Sequence, residues 1–203
     1  MTYIRESDIR ATEKKFGRPQ FRQVAFEMPE AEFSMVRASQ KHGRAHDVTI
    51  FIIKGDHFIF TAKHWYPPGL SRAPSGAARR GETLEQGCLR EAYEETGCAI
   101  KLKNYVLRIE CRFTCGADFI DWTTHIFTAD YLSGDLKPVD TKEIRDVHLV
   151  HPSQIPAIRK VMKAVDSGGI QYRAYLTDEV MDILFPPNPE EMSEPQGFGP
   201  TKA

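Results

Sequence analysis

The residues with chemistry to offer crowd into residues 76–98, GAARRGETLEQGCLREAYEETGC. Glu82, Arg90, Glu91, Glu94 and Glu95 stand there at the spacing G-x5-E-x7-R-E-x2-E-E-x-G, opened by Gly76 and closed by Gly97. Glu91, Glu94 and Glu95 are related by three- and four-residue steps, so a helix places them on one face. Like charges that close repel one another and weaken the helix that carries them. A hard divalent cation removes the conflict, because Mg²⁺ and Mn²⁺ take carboxylate, carbonyl and water oxygens. Arg90 can neutralise and orient one of the acids, with Glu82 in the preceding loop as its expected ion-pair partner.

The element that must hold these groups reads as loop, helix, stop. Thr83 is the expected N-cap and Gly97 the expected C-terminal stop. Leu84, Cys88, Leu89, Ala92 and Tyr93 recur at helical spacing as an expected core stripe. The carboxylate face borders that stripe, which puts the acids at the lip of a groove. Gly87 lies on the carboxylate side and should leave room for a ligand. Gly76 and Gly81 should let the backbone turn sharply and point a carbonyl at the metal.

This segment resembles the signature of the Nudix hydrolases at every polar and glycine position. The resemblance implies an α/β fold, an α/β/α sandwich with a mixed β-sheet, here with an N-terminal extension. It implies Glu94 and Glu95 as principal metal ligands, the Gly76 carbonyl as one more, and Glu91 as a further ligand or the base for the attacking water. Arg90 and Glu82 become the supporting pair. The implied reaction is hydrolysis of a nucleoside diphosphate linked to another moiety, with Mg²⁺ or Mn²⁺ and with an ADP-ribose-like compound weakly favoured. Some members of the family place the base on a late loop, and Glu143, before the strand expected at 147–150, occupies that region. A non-catalytic regulatory domain would typically lack some of the signature glutamates, and all are present. An isomerase on the same scaffold would need a cysteine upstream of the signature, and none precedes Cys88.

The chain of 203 residues fits one domain with an appendage: an extension over 1–45, the Nudix domain over 46–185 and a tail over 186–203 rich in Pro, Gly and Glu. A strand is expected at 20–26 and a helix at 29–40. A hairpin is expected from 48–53 and 57–63, then strands at 98–114 and 122–131. A helix at 154–166 should cover the sheet opposite the catalytic helix, with a short helix at 178–184. A net charge of −1 gives no pull toward nucleic acid or an anionic membrane surface. The apolar run at 48–53 is far too short to span a bilayer. The N-terminus lacks the apolar stretch of a secretory signal, so a cytoplasmic location is the expectation. The partner expected is a small nucleotide derivative, and a homodimer is left open.

Other signals are weaker. Cys88, Cys98, Cys111 and Cys115 read as free thiols. His42 and His46 have the spacing of a metal pair, but Gly43 between them favours a solvated basic turn with Lys41 and Arg44; a phosphate contact from Arg44 is the sharper alternative. Arg72, Arg79 and Arg80 neighbour the signature, and Arg72 and Arg79 are the candidates for substrate binding. Trp65 and Tyr66 read as structural aromatics rather than a base-stacking pair.

Overall fold

The computed structural model describes residues 4–40 and 43–186. His42 and all but the first residue of the expected tail fall outside them. Among the described residues, five α-helices flank one seven-stranded mixed sheet. The strands are β1 (Gln20–Glu27), β2 (His46–Lys54), β3 (His57–Lys63), β4 (Ser75–Ala77), β5 (Ala99–Cys115), β6 (Asp118–Ser133) and β7 (Ile144–Val150). The helices are α1 (Glu6–Phe16), α2 (Glu30–Ser39), α3 (Leu84–Thr96), α4 (Ile155–Ala164) and α5 (Gly168–Leu184). The sheet runs β1-β5-β6-β2-β3-β7, with β4 also paired to β2. β1–β5 and β2–β6 are parallel; the other pairs are antiparallel.

Alternation along β2 divides the molecule into two layers. Val48, Ile50 and Ile52 point to one face, where Leu84, Cys88 and Ala92 of α3 and Ile9 of α1 close a core. Phe51 points to the other face, among Leu107, Ile109, Ile126, Tyr172, Leu176 and Val180. The expectation that the 154–166 helix covers this second face needs correction. α5 is the main cover, and α4 lies beside it, burying Met162 with Ala62, Tyr66, Leu70 and Ala174. The short helix expected at 178–184 is the last part of α5, which spans 17 residues.

Two features explain why α5 begins so early. A Cβ on Gly168 would lie 2.0 Å from the Glu27 carbonyl oxygen, so this glycine serves close packing rather than a turn. The amides of Gly168 and Gly169 donate to the Glu32 carboxylate of α2 at 3.0 Å, and Ser167 Oγ donates to the same group. The helix start is thus capped by a side chain 136 residues away.

The N-terminal segment is built into the same sheet: β1 pairs with β5 along its whole length, from Gln20↔Leu107 to Glu27↔Thr114. α1, which the sequence reading did not anticipate, buries Ile9 and Thr12 and ties to α3 through Lys15–Glu85 at 2.6 Å. None of the described helices is long and apolar enough to cross a membrane.

Candidate active site

α3 starts where the sequence placed it. Thr83 Oγ1 accepts from the Gln86 amide, Gln86 returns a bond to the Thr83 amide, and Gly97 closes the helix at φ 68°. The buried face differs from the expected stripe. Leu84, Gly87, Cys88, Ala92, Glu95 and Thr96 are buried, while Leu89 and Tyr93 are exposed. The rotation is set by β4 and its following loop, which press on the Gly87 side. There Ala78 Cα would lie 3.6 Å from a Gly87 Cβ, so the protein's own loop fills the space expected for a ligand.

Arg90 is the hub of the signature. Its Nε and Nη2 donate to the two oxygens of Glu82 at 2.7 and 2.8 Å, Nη1 reaches Glu91 at 2.5 Å and Glu94 at 3.0 Å, and Nη2 also bonds the Ala77 carbonyl at 2.8 Å. The fork-shaped guanidinium therefore fixes both the loop and two helix carboxylates. Glu94 accepts twice more from Arg79 Nη2, at 3.2 Å.

Glu91 faces Gly76. A Cβ at position 76 would come within 2.2 Å of its carboxylate, so only glycine lets the acid lie against this backbone. Gly76 itself sits in β4 opposite Val48, within an extended strand rather than at the sharp turn expected of it. Burial pushes the Glu91 carboxyl up to about 7, against the pull of Arg90, with Glu95 and Asp47 adding repulsion.

Glu95 lies deeper. Its oxygens accept from Arg72 Nη2 at 3.1 Å, the Ser75 amide at 3.1 Å and Thr61 Oγ1 at 3.2 Å. Arg72, expected to contact substrate, is buried: Nε bonds the Tyr66 hydroxyl at 2.9 Å and Nη1 bonds Ser75 Oγ. This buried pair holds the strand bearing Gly76. Desolvation raises the Glu95 pKa, and Arg72 opposes the rise.

Glu143 precedes β7 and forms an ion pair with Lys63. Its loop is pinned to the catalytic helix, since the amides of Val139 and Asp140 donate to the Glu94 carbonyl at 3.0 and 2.8 Å. Asp140 Oδ1 then accepts from the Glu143 amide at 3.2 Å.

A cavity of about 490 Å³ brings Gly76, Glu91, Glu143, Arg72 and Arg79 together. Arg80 is an exposed side chain and is not among the residues that line it. Sequence reasoning missed Asp47, Lys63 and Arg173 in the same wall. Asp47 opens β2 and is buried, accepting from Arg173 Nη2 at 2.8 Å. Its only sequence signal is a charge on the face that later carries Thr49 and Phe51.

Among the described residues, no three His, Cys, Asp or Glu side chains stand together as a ready-made cation cage. Arg90 occupies the space between the acids. The donor chemistry nevertheless fits a hard cation, with two carboxylates on one helix face and a bare glycine backbone against Glu91.

A family model, the NUDIX domain, matches residues 43–168, more than half of the chain. The chain belongs to the NUDIX family. An NAD-capped RNA hydrolase, NudC, from Photobacterium profundum is 29% identical over 131 residues, covering 63% of this chain and 47% of that protein. An oxidized purine nucleoside triphosphate hydrolase from Mus musculus is 34% identical over 70 residues, 34% of this chain and 42% of that one. The NUDIX chain thus spans about half the length of the curated relatives it matches. Among solved structures, a UDP-X diphosphatase aligns with a TM-score of 0.47 at 17% identity, over 72% of each chain.

The solvated basic turn expected at His46 is corrected by the fold, and His42 falls outside the described residues. His46 lies buried on the α3 side, where Nδ1 is 3.0 Å from His125 Nε2, and His125 Nδ1 meets the Tyr105 hydroxyl at 2.5 Å. The four cysteines are unbridged. Of the two aromatics read as structural, Tyr66 is buried on Arg72 while Trp65 is exposed at the cavity.

Proposed function

We propose that this NUDIX protein is a metal-dependent pyrophosphohydrolase that cleaves a nucleoside diphosphate linked to another moiety. One observation carries the reading: Glu91 and Glu143 face one cavity that is also lined by Arg44, Lys63, Arg79 and Arg173. Carboxylates alone would reject a diphosphate, whereas this mixture of acids and cations can hold its oxygens and leave a base near phosphorus.

Glu91, Glu94, Glu95 and the Gly76 carbonyl are the groups that would hold Mg²⁺ or Mn²⁺. Glu95 uses three of its roughly four acceptor sites on Arg72, Ser75 and Thr61, which leaves one. Such a cation neutralises phosphate charge and lowers the pKa of bound water. Arg90 and Glu82 keep the helix acids in register with the loop. Arg79, which is exposed and pairs with Glu94, can swing between that acid and a substrate oxygen. Arg72 serves by holding Glu95 and Ser75 rather than by touching substrate. Water attacks a diphosphate phosphorus, its proton passes to Glu91 or to Glu143, and the bond from that phosphorus to the bridging oxygen breaks so that the second phosphate leaves with its substituent. An ADP-ribose-like substrate is the first candidate, and the cytoplasm the expected compartment.

The test is a panel of nucleoside diphosphate derivatives incubated with Mg²⁺ or Mn²⁺, with phosphate-bearing products identified. The expected result is cleavage within the diphosphate of at least one compound. No cleavage of any compound, with the protein folded, would overturn the proposal.

A further inference from the structure

The same cavity has an apolar side, a chamber whose walls come largely from outside residues 43–168 and whose Met28, Val36, Phe113, Trp122 and Tyr172 belong to one packed cluster. Met28, Met35 and Val36 line it from α2 and the turn before it, and Ile170 and Tyr172 from α5. Phe113 and Trp122 of the β5–β6 hairpin form the wall from the sheet. Met35 is 65% exposed, an unbranched apolar side chain left in solvent at this site. α2 is fixed there by burial of Phe33, by Arg37–Asp118 at 3.4 Å and by Glu32, which caps α5.

Arg44 lines the cavity beside this apolar side. Its guanidinium lies 5.3 Å over the Trp122 ring. Its ion-pair partner is Asp47 at 3.5 Å, an acid held more closely by Arg173 at 2.8 Å. Arg44 Nε is buried with no hydrogen-bond partner. Buried donors without a partner are uncommon, and a guanidinium already stacked on one aromatic ring presents its other face for a second. Apolar walls and a cation stacked on Trp122 suit a flat, uncharged heterocycle with a phosphate group nearby, and Glu32, the acid on this side, is occupied in capping α5.

We propose that this chamber binds the nucleobase of the substrate, stacked on Arg44 and flanked by Met35 and Val36, with the phosphates directed toward Glu91. The proposal rests on the hydrolase reading for where the phosphates go, but its own claim concerns binding. α2 and α5 thereby set base recognition, while the signature carries the chemistry.

The two tryptophans of the chain, Trp65 and Trp122, both line the cavity, so ligand binding can be followed by intrinsic fluorescence. In a Trp65→Phe protein Trp122 alone reports. The probes are AMP and ribose 5-phosphate, which share sugar and phosphate and differ by the base. AMP is expected to quench Trp122 and bind roughly 10-fold more tightly, the scale of one stacked base. Met35→Glu, a change at an exposed position, and Arg44→Ala should each shrink that difference to within about 2-fold, while circular dichroism confirms that both variants fold. Equal affinity for the two probes, no binding of AMP up to millimolar concentration, or a base preference unchanged in both variants would overturn the proposal. Equal affinities with cleavage of the panel intact would sink the base chamber and leave the hydrolase standing. A base preference lost in the variants, in a protein that cleaves nothing, would support the chamber and sink the hydrolase.

Discussion

At one end of the cavity the core of the wall is a short continuous stretch, the Gly76 strand, its loop and α3, joined by Asp47, Lys63 and Glu143. At the other the walls come from α2, the β5–β6 hairpin and α5, segments far apart in the chain. The first end is dense in paired charge, with Arg90 holding Glu82, Glu91 and Glu94, and Arg72 holding Glu95. The second is apolar and aromatic, with one under-used cation. Local spacing on a helix can specify the first, because three- and four-residue steps fix which acids meet. Nothing local can specify the second. A chain can therefore keep its chemistry in a recognisable motif while its selectivity rests on parts that carry no motif.

The largest expected effect separates the two candidate bases within the charged end. Glu91→Gln or Glu143→Gln should lower kcat by ~10²–10⁴, depending on which group takes the proton from water. Metal titration of each variant distinguishes a base, for which metal dependence is kept, from a ligand, for which it weakens. If both variants turn over normally, the acids facing the cavity are not the working ones.

The next effect sets Glu95 against Glu94. Glu95→Ala leaves Arg72 buried without its counter-charge, and should cost about 3–5 kcal/mol in urea unfolding. Glu94→Gln, on a partly exposed acid, should cost under about 1 kcal/mol while still impairing turnover through the metal. Equal stability losses would erase the distinction between an acid that also supports the fold and one that does not.

Beneath α1 and α3 the buried histidines give a pH signature that the aromatic chamber lacks. Burial, with Arg108 adding repulsion, lowers the His46 pKa from 6.5 to about 4, while Asp47 and Glu110 oppose the change, and burial also lowers that of His125. The unfolded chain therefore binds protons between those values and the folded one does not. The His46 contribution to stability is full above about 6.5 and falls as pH drops toward 4, by roughly 3 kcal/mol. Glu91, raised to about 7, acts in the opposite sense over the same range, so the readout is a difference: the urea stability of the native protein relative to His46→Gln should fall as pH drops. A flat difference would place a charged histidine in the core.

The smallest effects concern the cysteines. Cys88, Cys98 and Cys111 are buried among apolar neighbours, and burial pushes Cys111 up to about 12. Alanine at each should leave kcat within about 2-fold, with stability losses of about 1 kcal/mol for the removed sulfur. A folded variant with no turnover would give a thiol a role that neither end of the cavity assigns it.

By itself the sequence determined the catalytic helix from Thr83 to Gly97, the Arg90–Glu82 pair and the runs of the central strands, because caps, ion pairs at helical steps and apolar alternation are encoded within a few residues. It also carried Glu91 and Gly76 within one motif, but expected a sharp turn at Gly76, which lies in a strand. That glycine is needed because a carboxylate lies where a side chain would be, a fact about two segments in contact. Only the tertiary structure decided that Glu95 turns to Arg72, that Leu89 and Tyr93 face solvent, and that α5 starts at Gly168 under a cap from α2. Each of these depends on which surface a residue meets after the sheet has assembled, and long-range packing of that kind leaves no period or spacing along the chain to read.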